Sequence, residues 1–322
     1  MPFFPGVRLH VVTGKGGTGK TTVAAALALA LADEGSRVLL VEVEKRQGIA
    51  QLFNIEPLGY AERRVARLDR GEVTALSVDP EEALLEYLDM FYNLGRAGKM
   101  LRRMGAIDFA TTIAPGLRDV LLTGKIKEAV ARKHKGSHVY DAVVVDAPPT
   151  GRIVRFLNVS HEVAGLAKVG PIRNQADSVM ALLRSSRTAV HLVTLLEEMP
   201  VQETLDAIGE LRAADLPVGA ILVNMVREPH LEDGALAAAA DGRLDLDALQ
   251  DGLNAAGIDV GPDVVKVLAD EASEHAERVE LQKAERADLE ATGLPLLDLP
   301  LIPDDMRLGC LRRLADAIQE QS

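Results

Sequence analysis

Nine residues, Gly14-Lys-Gly-Gly-Thr-Gly-Lys-Thr-Thr22, constrain this chain more than any other stretch. They lie between an apolar run, Val7–Thr13, and a helix-like apolar run, Val23–Ala32. Gly14, Gly19, Lys20 and Thr21 stand at the spacing glycine, four residues, glycine-lysine-threonine, and the strand-then-helix flanks are the context which that spacing requires of a phosphate-binding loop. Gly14, Gly16, Gly17 and Gly19 free the backbone to turn its N–H groups inward onto phosphate oxygens around Thr18. The helix that follows adds a partial positive charge at its N-terminus, carrying Thr21 and Thr22 in its first turn. Lys20 is expected to reach the β- and γ-phosphates and the Thr21 hydroxyl to ligate Mg²⁺.

The sheet is the next deduction. Arg37–Val43 is a strongly apolar strand, so strand, loop, helix and strand form a βαβ unit, which implies a parallel sheet. Tyr140–Ala147 is a buried-type strand that ends in Asp146. A carboxylate at that place suits the hydration shell of Mg²⁺ beside the loop. Further strands are expected over Val190–Leu195, Val218–Met225 and Leu296–Leu301, with helices over Val201–Ala213 and Met306–Gln319. Residues 79–135 show helical spacing and no strand pattern: a helix over Asp79–Tyr92, an irregular stretch, then a helix from Pro115–Gly116 to about Lys135. Residues 158–187 read as helical too. The expected fold is therefore α/β, a mostly parallel central sheet flanked by helices. No repeat or linker divides it, so residues 1–322 read as one domain, with a helical subdomain formed by about 79–135 and 158–187.

Charge and cysteine content narrow the partners. The formal net charge is −12, and its excess is concentrated between Glu232 and Glu290, where sixteen acidic residues meet five basic ones. Between Gly95 and Lys135 the balance reverses, ten basic against three acidic. That basic segment reads first as a solvated helical face, and only Phe109 interleaves with it, which speaks against a nucleic-acid stacking platform. The single cysteine, Cys310, rules out a Cys-x-x-Cys zinc site and a cysteine-held iron–sulfur cluster within the chain. His134 and His138 stand four apart but at an expected helix end with Gly136 between them, a weak case for a metal. Met1–Gly6 has no basic n-region, and no apolar run approaches the ~20 residues of a membrane span. A cytoplasmic protein is expected, peripheral to a membrane only through a partner.

Lys15, directly after the first glycine, is not needed by an ordinary phosphate loop. With it the loop resembles the deviant Walker A motif of the family that contains MinD, ParA, the nitrogenase iron protein and the ArsA arsenite-pump ATPases. Three other segments are similar to the ArsA branch. Asp146-Ala-Pro-Pro-Thr-Gly-Arg152 resembles its switch two, Glu197-Glu-Met-Pro-Val-Gln-Glu-Thr204 its nucleotide-contacting segment, and Ile221-Leu-Val-Asn224 the strand whose asparagine reads adenine. Pro300-Leu-Ile-Pro-Asp-Asp-Met-Arg307 is similar to the loop that encloses the base, with Pro300 and Asp305 as its contacts. The resemblance implies a P-loop fold binding ATP and Mg²⁺, and a dimer in which Lys15 reaches the partner's nucleotide and Glu197 contacts nucleotide across the interface. It places Lys15, Lys20, Glu44 and Asp146 in catalysis. Switch one departs from the family: Glu44-Lys-Arg-Gln47 stands where Asp-Pro-Ala-His is usual, and slow turnover is expected of the longer carboxylate. The half-length bacterial members occur as paralogue pairs, so the implied dimer is a homodimer or a heterodimer with a paralogous ATPase. Two roles follow. One is an ATP-driven switch that holds a client or membrane partner at the helical subdomain, where Met90, Met100, Met104 and Met180 would line a groove. The other is a ParA/MinD-like positioning protein on DNA or membrane. A non-catalytic subunit of a heterodimer is a variant of the first.

Overall fold

The computed structural model describes residues 4–92, 115–158, 171–227, 229, 231–302 and 308–321. In chain order the elements run β1 (Leu9–Gly14), α1 (Lys20–Asp33), β2 (Arg37–Glu42), α2 (Gly48–Leu52), β3 (Arg63–Arg67), β4 (Glu72–Ser77), α3 (Pro80–Tyr92) and α4 (Pro115–Ala131). A short hairpin, β5 (Lys133–His134) and β6 (Ser137–His138), leads to β7 (Ala142–Asp146), α5 (Thr150–Leu157), α6 (Pro171–Leu183), β8 (Thr188–Thr194) and α7 (Glu198–Ala213). Then come β9 (Val218–Val226), α8 (Asp233–Ala240), α9 (Leu246–Ala255), α10 (Pro262–Glu290), β10 (Leu296–Pro300) and α11 (Leu308–Glu320).

Eight strands form one sheet in the order β10-β9-β8-β1-β7-β2-β4-β3, parallel throughout except for β3, which runs antiparallel to β4. The mostly parallel sheet deduced from the βαβ pattern is thus the fold. β1, β7 and β8 are buried along their whole length, as strands covered on both faces must be. Alternate residues face opposite ways. Leu9, Val11, Val143 and Val145 pack with α3 to α7, while Val12, Leu40 and Val144 pack with α1, α2 and α11. The alanine-leucine sequence of α1 has no polar face, and Val23 to Ala32 are all buried. That suits a helix enclosed by sheet and α11, to which Gln319 Nε2 ties it through the Ala30 carbonyl at 2.9 Å.

Of the segments expected to form a helical subdomain, α3, α4 and α6 send Leu84, Leu121, Ile126, Val179 and Met180 into the same core as the sheet. Met100 and Met104 lie outside the described residues, as does the side chain of Met90. One boundary is corrected: the helix expected to reach Lys135 ends at Ala131. Lys135 and Gly136, with φ of 50° and 86°, form the tight turn of the β5–β6 hairpin, a pair of left-handed residues that continues a hairpin but not a helix. His134 and His138 are therefore on paired strands. Among the described residues no group of three or more His, Cys, Asp or Glu could hold a metal.

β3 and β4 are additional to the strands read from the sequence. β3 reads Arg-Arg-Val-Ala-Arg, its three arginines are exposed, and it forms one edge of the sheet. At the other edge, β10, the Asp298 N–H donates to Gln321 Oε1 and Gln321 Nε2 donates to the Asp298 carbonyl, each at 2.8 Å.

Two histidines are buried on the α1 face. The Ala220 N–H donates to His191 Nδ1 at 3.1 Å, so His191 carries its proton on Nε2 and donates it to His10 Nδ1, also at 3.1 Å. Phe4 stands edge-on to both rings. Burial pushes His10 down to about 4 and His191 well below the usual range, so both are neutral.

Candidate functional site

The loops that follow β1, β2, β7, β8, β9 and β10 all leave from the C-terminal ends of parallel strands, where open α/β sheets bind ligands. At their centre the glycine loop closes on itself around one carbonyl. Lys15 O accepts from Thr18 Oγ1 at 2.9 Å, from Thr18 N at 3.3 Å and from Lys20 Nζ at 3.3 Å. The backbone N–H groups of Gly16, Gly17 and Gly19 donate to no described group, which leaves them for a ligand. Two glycines are obligatory here. A Cβ on Gly14 would lie 2.2 Å from the Val193 carbonyl oxygen, and one on Gly19 (φ 85°) would lie 2.4 Å from Asn224 Nδ2. Lys20, Thr21 and Thr22 follow as the first turn of α1.

The carboxylates converge on that turn from the neighbouring strands. Thr21 Oγ1 donates to Asp146 Oδ2 at 2.7 Å, joining two residues far apart in the chain. Asp146 is pushed up to about 6, chiefly by burial and further by Glu42 and Glu44, against the pull of Thr21 and Lys20. Burial lowers Lys20, which Asp146 and Glu44 oppose. Glu42 sits beside Asp146 in strand register and is only 1% exposed. Its Oε1 accepts from the Gly48 N–H at 2.8 Å, while Oε2 is buried with no partner among the described residues.

Glu44 is held by two arginines. Arg46 lies 3.1 Å and Arg152 3.5 Å from its carboxylate oxygens. Lys15 pairs within its own chain with Glu203 at 3.0 Å, and Glu203 also accepts from Thr150 Oγ1 at 3.3 Å. Neither Glu203 nor Arg46 was singled out by the sequence; their roles depend on α7 and the switch-one loop folding back over the glycine loop. Thr13 Oγ1 donates to the Pro148 carbonyl at 2.7 Å, fastening β1 to the turn after Asp146.

At the far side of Gly19, Asn224 Nδ2 donates to the Thr18 carbonyl at 2.9 Å. Asn224 and the exposed Glu197 line an open cleft of about 390 Å³, together with Met225 and Leu301. Pro300 is exposed at the end of β10, and it is its neighbour Leu301 that faces the cleft. Asp305 lies outside the described residues. The structure thus brings Lys15, Gly16 to Thr22, Glu44 and Asp146 together at one end and Glu197 and Asn224 at the other.

The donor set suits Mg²⁺, which keeps most of its water and takes one or two protein oxygens beside phosphate. Thr21 and Asp146 offer those oxygens, and the adjoining buried Glu42 deepens the negative potential that a divalent cation would offset. No described helix is long and apolar enough to cross a membrane.

Residues 7–185 match the family model described as anion-transporting ATPase. Over 318 residues, 98% of this chain and 94% of the relative, the sequence is 55% identical to the ATPase BagA of Mycobacterium tuberculosis. It is 27% identical over 258 residues to the ATPase GET3 of Kluyveromyces lactis, covering 69% of this chain and 73% of that one. To the arsenical pump-driving ATPase of Acidiphilium multivorum it is 28% identical over 252 residues, 70% of this chain and 41% of the relative. The chain belongs to the anion-transporting ATPase family of ArsA type, with that family's P-loop fold.

Proposed function

We propose that this protein is a dimeric ATPase switch, in which ATP binding closes two subunits face to face and hydrolysis reopens them for a client or membrane partner. The observation that carries the reading is the Thr21–Asp146 hydrogen bond at the mouth of the glycine loop, with Lys20 arched over the same loop. Thr21 and Asp146 would hold Mg²⁺, which supplies charge neutralisation for the β- and γ-phosphates when bound. Lys20 and the free N–H groups of Gly16, Gly17 and Gly19 cradle the phosphate oxygens. Asn224 and Glu197 take the base and ribose end, beside Leu301. Glu44 orients the attacking water, whose oxygen bonds to the γ-phosphorus as the bond to ADP breaks.

Lys15 acts across the dimer. Its ion pair with Glu203 is exposed enough to exchange, with side chains 28% and 37% accessible, and exposed pairs contribute only ~0–1 kcal/mol. Leaving Glu203 for a partner's phosphate therefore costs little. The name of one relative, an arsenical pump-driving ATPase, supports a role in which nucleotide state drives another component.

One observation favours a second form of the same reading, a subunit that needs a paralogous ATPase for turnover. The Glu44 carboxylate is engaged by Arg46 and Arg152, and must shed at least one of them to meet water. Phosphate release by the purified protein, with Mg²⁺–ATP saturating, separates the two. A specific rate that rises with protein concentration identifies a self-sufficient homodimer. A flat, negligible rate with nucleotide bound identifies the partner-dependent subunit. No nucleotide binding at all refutes both.

A further inference from the structure

The cleft beside Asn224 has a second wall that comes from an unexpected place. Arg278, Leu281 and Gln282 line it, and all three belong to α10, the 29-residue helix of the acidic segment. Spacings of three and four residues put them on one helical face. From the other side come Asn224, Met225 and Leu301, at the ends of β9 and β10. The volume of about 390 Å³ is within the ~300–1,000 Å³ range of small-molecule sites.

The two walls are chemically matched to a flat heteroaromatic ring. Leu281 is 49% and Met225 43% exposed, so each presents apolar surface to the opening. Met225 holds a left-handed φ of 56°, a strained backbone for a side chain of its size and one that needs a compensating use. The polar edge is equally specific. Because the Thr18 carbonyl only accepts, the nitrogen of the Asn224 amide faces it, which fixes the amide's orientation and leaves Oδ1 and the second Nδ2 N–H for a ligand. An acceptor in that position suits the exocyclic amino group of adenine and repels the carbonyl oxygen of guanine. Arg278 and Gln282 make no hydrogen bond or ion pair with other described residues, and Arg278 is one of only five basic residues between Glu232 and Glu290. A cation there counters the repulsion that an acidic helix would otherwise exert on a nucleotide. Glu197 faces it across the cleft, and ribose hydroxyls, which both donate and accept, fit between the two.

We propose that α10 is the outer wall of the nucleoside site: Leu281 covers the adenine ring, Gln282 meets its edge, and Arg278 binds the ribose side. The proposal rests on the reading of the glycine loop as an ATP site. It assigns the acidic segment a direct part in nucleotide selection.

Calorimetric titration of the full-length protein with ATP, ADP, GTP and inorganic tripolyphosphate, all with Mg²⁺, tests it. Leu281→Ala and Arg278→Ala should each weaken ATP and ADP about tenfold, the scale of a lost pocket contact. Tripolyphosphate, which has no nucleoside, should bind these variants as it binds the wild type. Gln282→Ala should narrow the preference for ATP over GTP. Leu281→Met should retain wild-type affinity, and Lys283→Ala, on the same helix but paired with Glu280 away from the cleft, should change nothing. Unchanged nucleotide affinity in Leu281→Ala and Arg278→Ala would overturn the wall, and so would a loss of tripolyphosphate binding in step with ATP. Failure of the wild type to bind either ATP or tripolyphosphate would overturn the ATP reading itself and the wall with it.

Discussion

Two buried pairs of titratable residues occupy the same face of the same sheet and are treated in opposite ways. His10 and His191 satisfy one another: a backbone N–H fixes one tautomer, that tautomer fixes the next, and Phe4 closes over both rings. Glu42 and Asp146 sit side by side at the strand ends with like charge, one carboxylate oxygen without a partner among the described residues and one carboxyl pushed up to about 6. Burial is severe in both. What differs is whether the protein itself completes the hydrogen bonding and charge. Where it does, the polar group is part of the core; where it stops short, the gap is one that the proposed Mg²⁺ would fill.

The sharpest way to break that contrast is at Lys20, the cation which the carboxylate end does possess. Lys20→Ala should weaken ATP by about 10²-fold or more and abolish phosphate release, as expected for removing one partner of a buried charge pair. Titration calorimetry that found wild-type affinity would separate the carboxylates from any phosphate site. Lys15→Ala should instead keep ATP affinity and lose about 10³-fold in turnover, the lower end of what a residue supplied in trans provides. Glu203→Ala, which frees Lys15 and the Thr150 hydroxyl, should not slow turnover; a matching loss in both variants would show that the pair acts within one chain.

The two pairs should also pull stability in opposite directions with pH. His10 is depressed in the fold, so its contribution is full above the ordinary histidine value of 6.5 and is lost as pH falls towards about 4, on the order of 3 kcal/mol. Asp146 is raised in the fold, so the unfolded chain ionises first and the ligand-free protein loses stability as pH rises from about 4 to 6. Over the same window the slopes partly cancel. Denaturant titrations should therefore find Asp146→Asn more acid-labile in slope than the wild type, yet a few degrees higher in melting temperature at pH 7.5 without nucleotide. His10→Phe should show the shallower slope. If both variants follow the wild-type pH curve, the contrast between the pairs has no energetic content.

Legibility in the sequence tracked contiguity. The glycine loop was readable because one backbone turn needs its residues in one short run, and Asp146 because a buried strand delivered it to that loop. Asn224 was recognisable from the strand before it. Arg278, Leu281 and Gln282 were not, since an acidic, alanine-rich helix gives no local sign that three of its residues will meet the end of β9. The Lys15–Glu203 pair was hidden for the same reason: only the packing of α7 brings it about. β3 was missed because three arginines in five residues carry no apolar alternation, and its pairing is dictated by β4 alone. The end of α4 was overrun by four residues because helical spacing in Pro115–Ala131 says nothing of the Lys135–Gly136 turn beyond it.

The sheet's two margins bear on how copies of this molecule can come together. Exposed β-edges invite another strand to add on, and proteins blunt them with charge or by occupying their hydrogen-bonding groups. Here Arg63, Arg64 and Arg67 guard one margin, while Gln321 occupies the Asp298 N–H and carbonyl at the other and Pro300 offers no N–H. Lateral growth of the sheet into a continuous two-chain ribbon is closed off at both sides. Under the proposed switch, a second subunit would join through loops or helices rather than through the sheet, and the loops at the strand ends, where the glycine loop lies, are the surface on which such a contact would also reach the nucleotide.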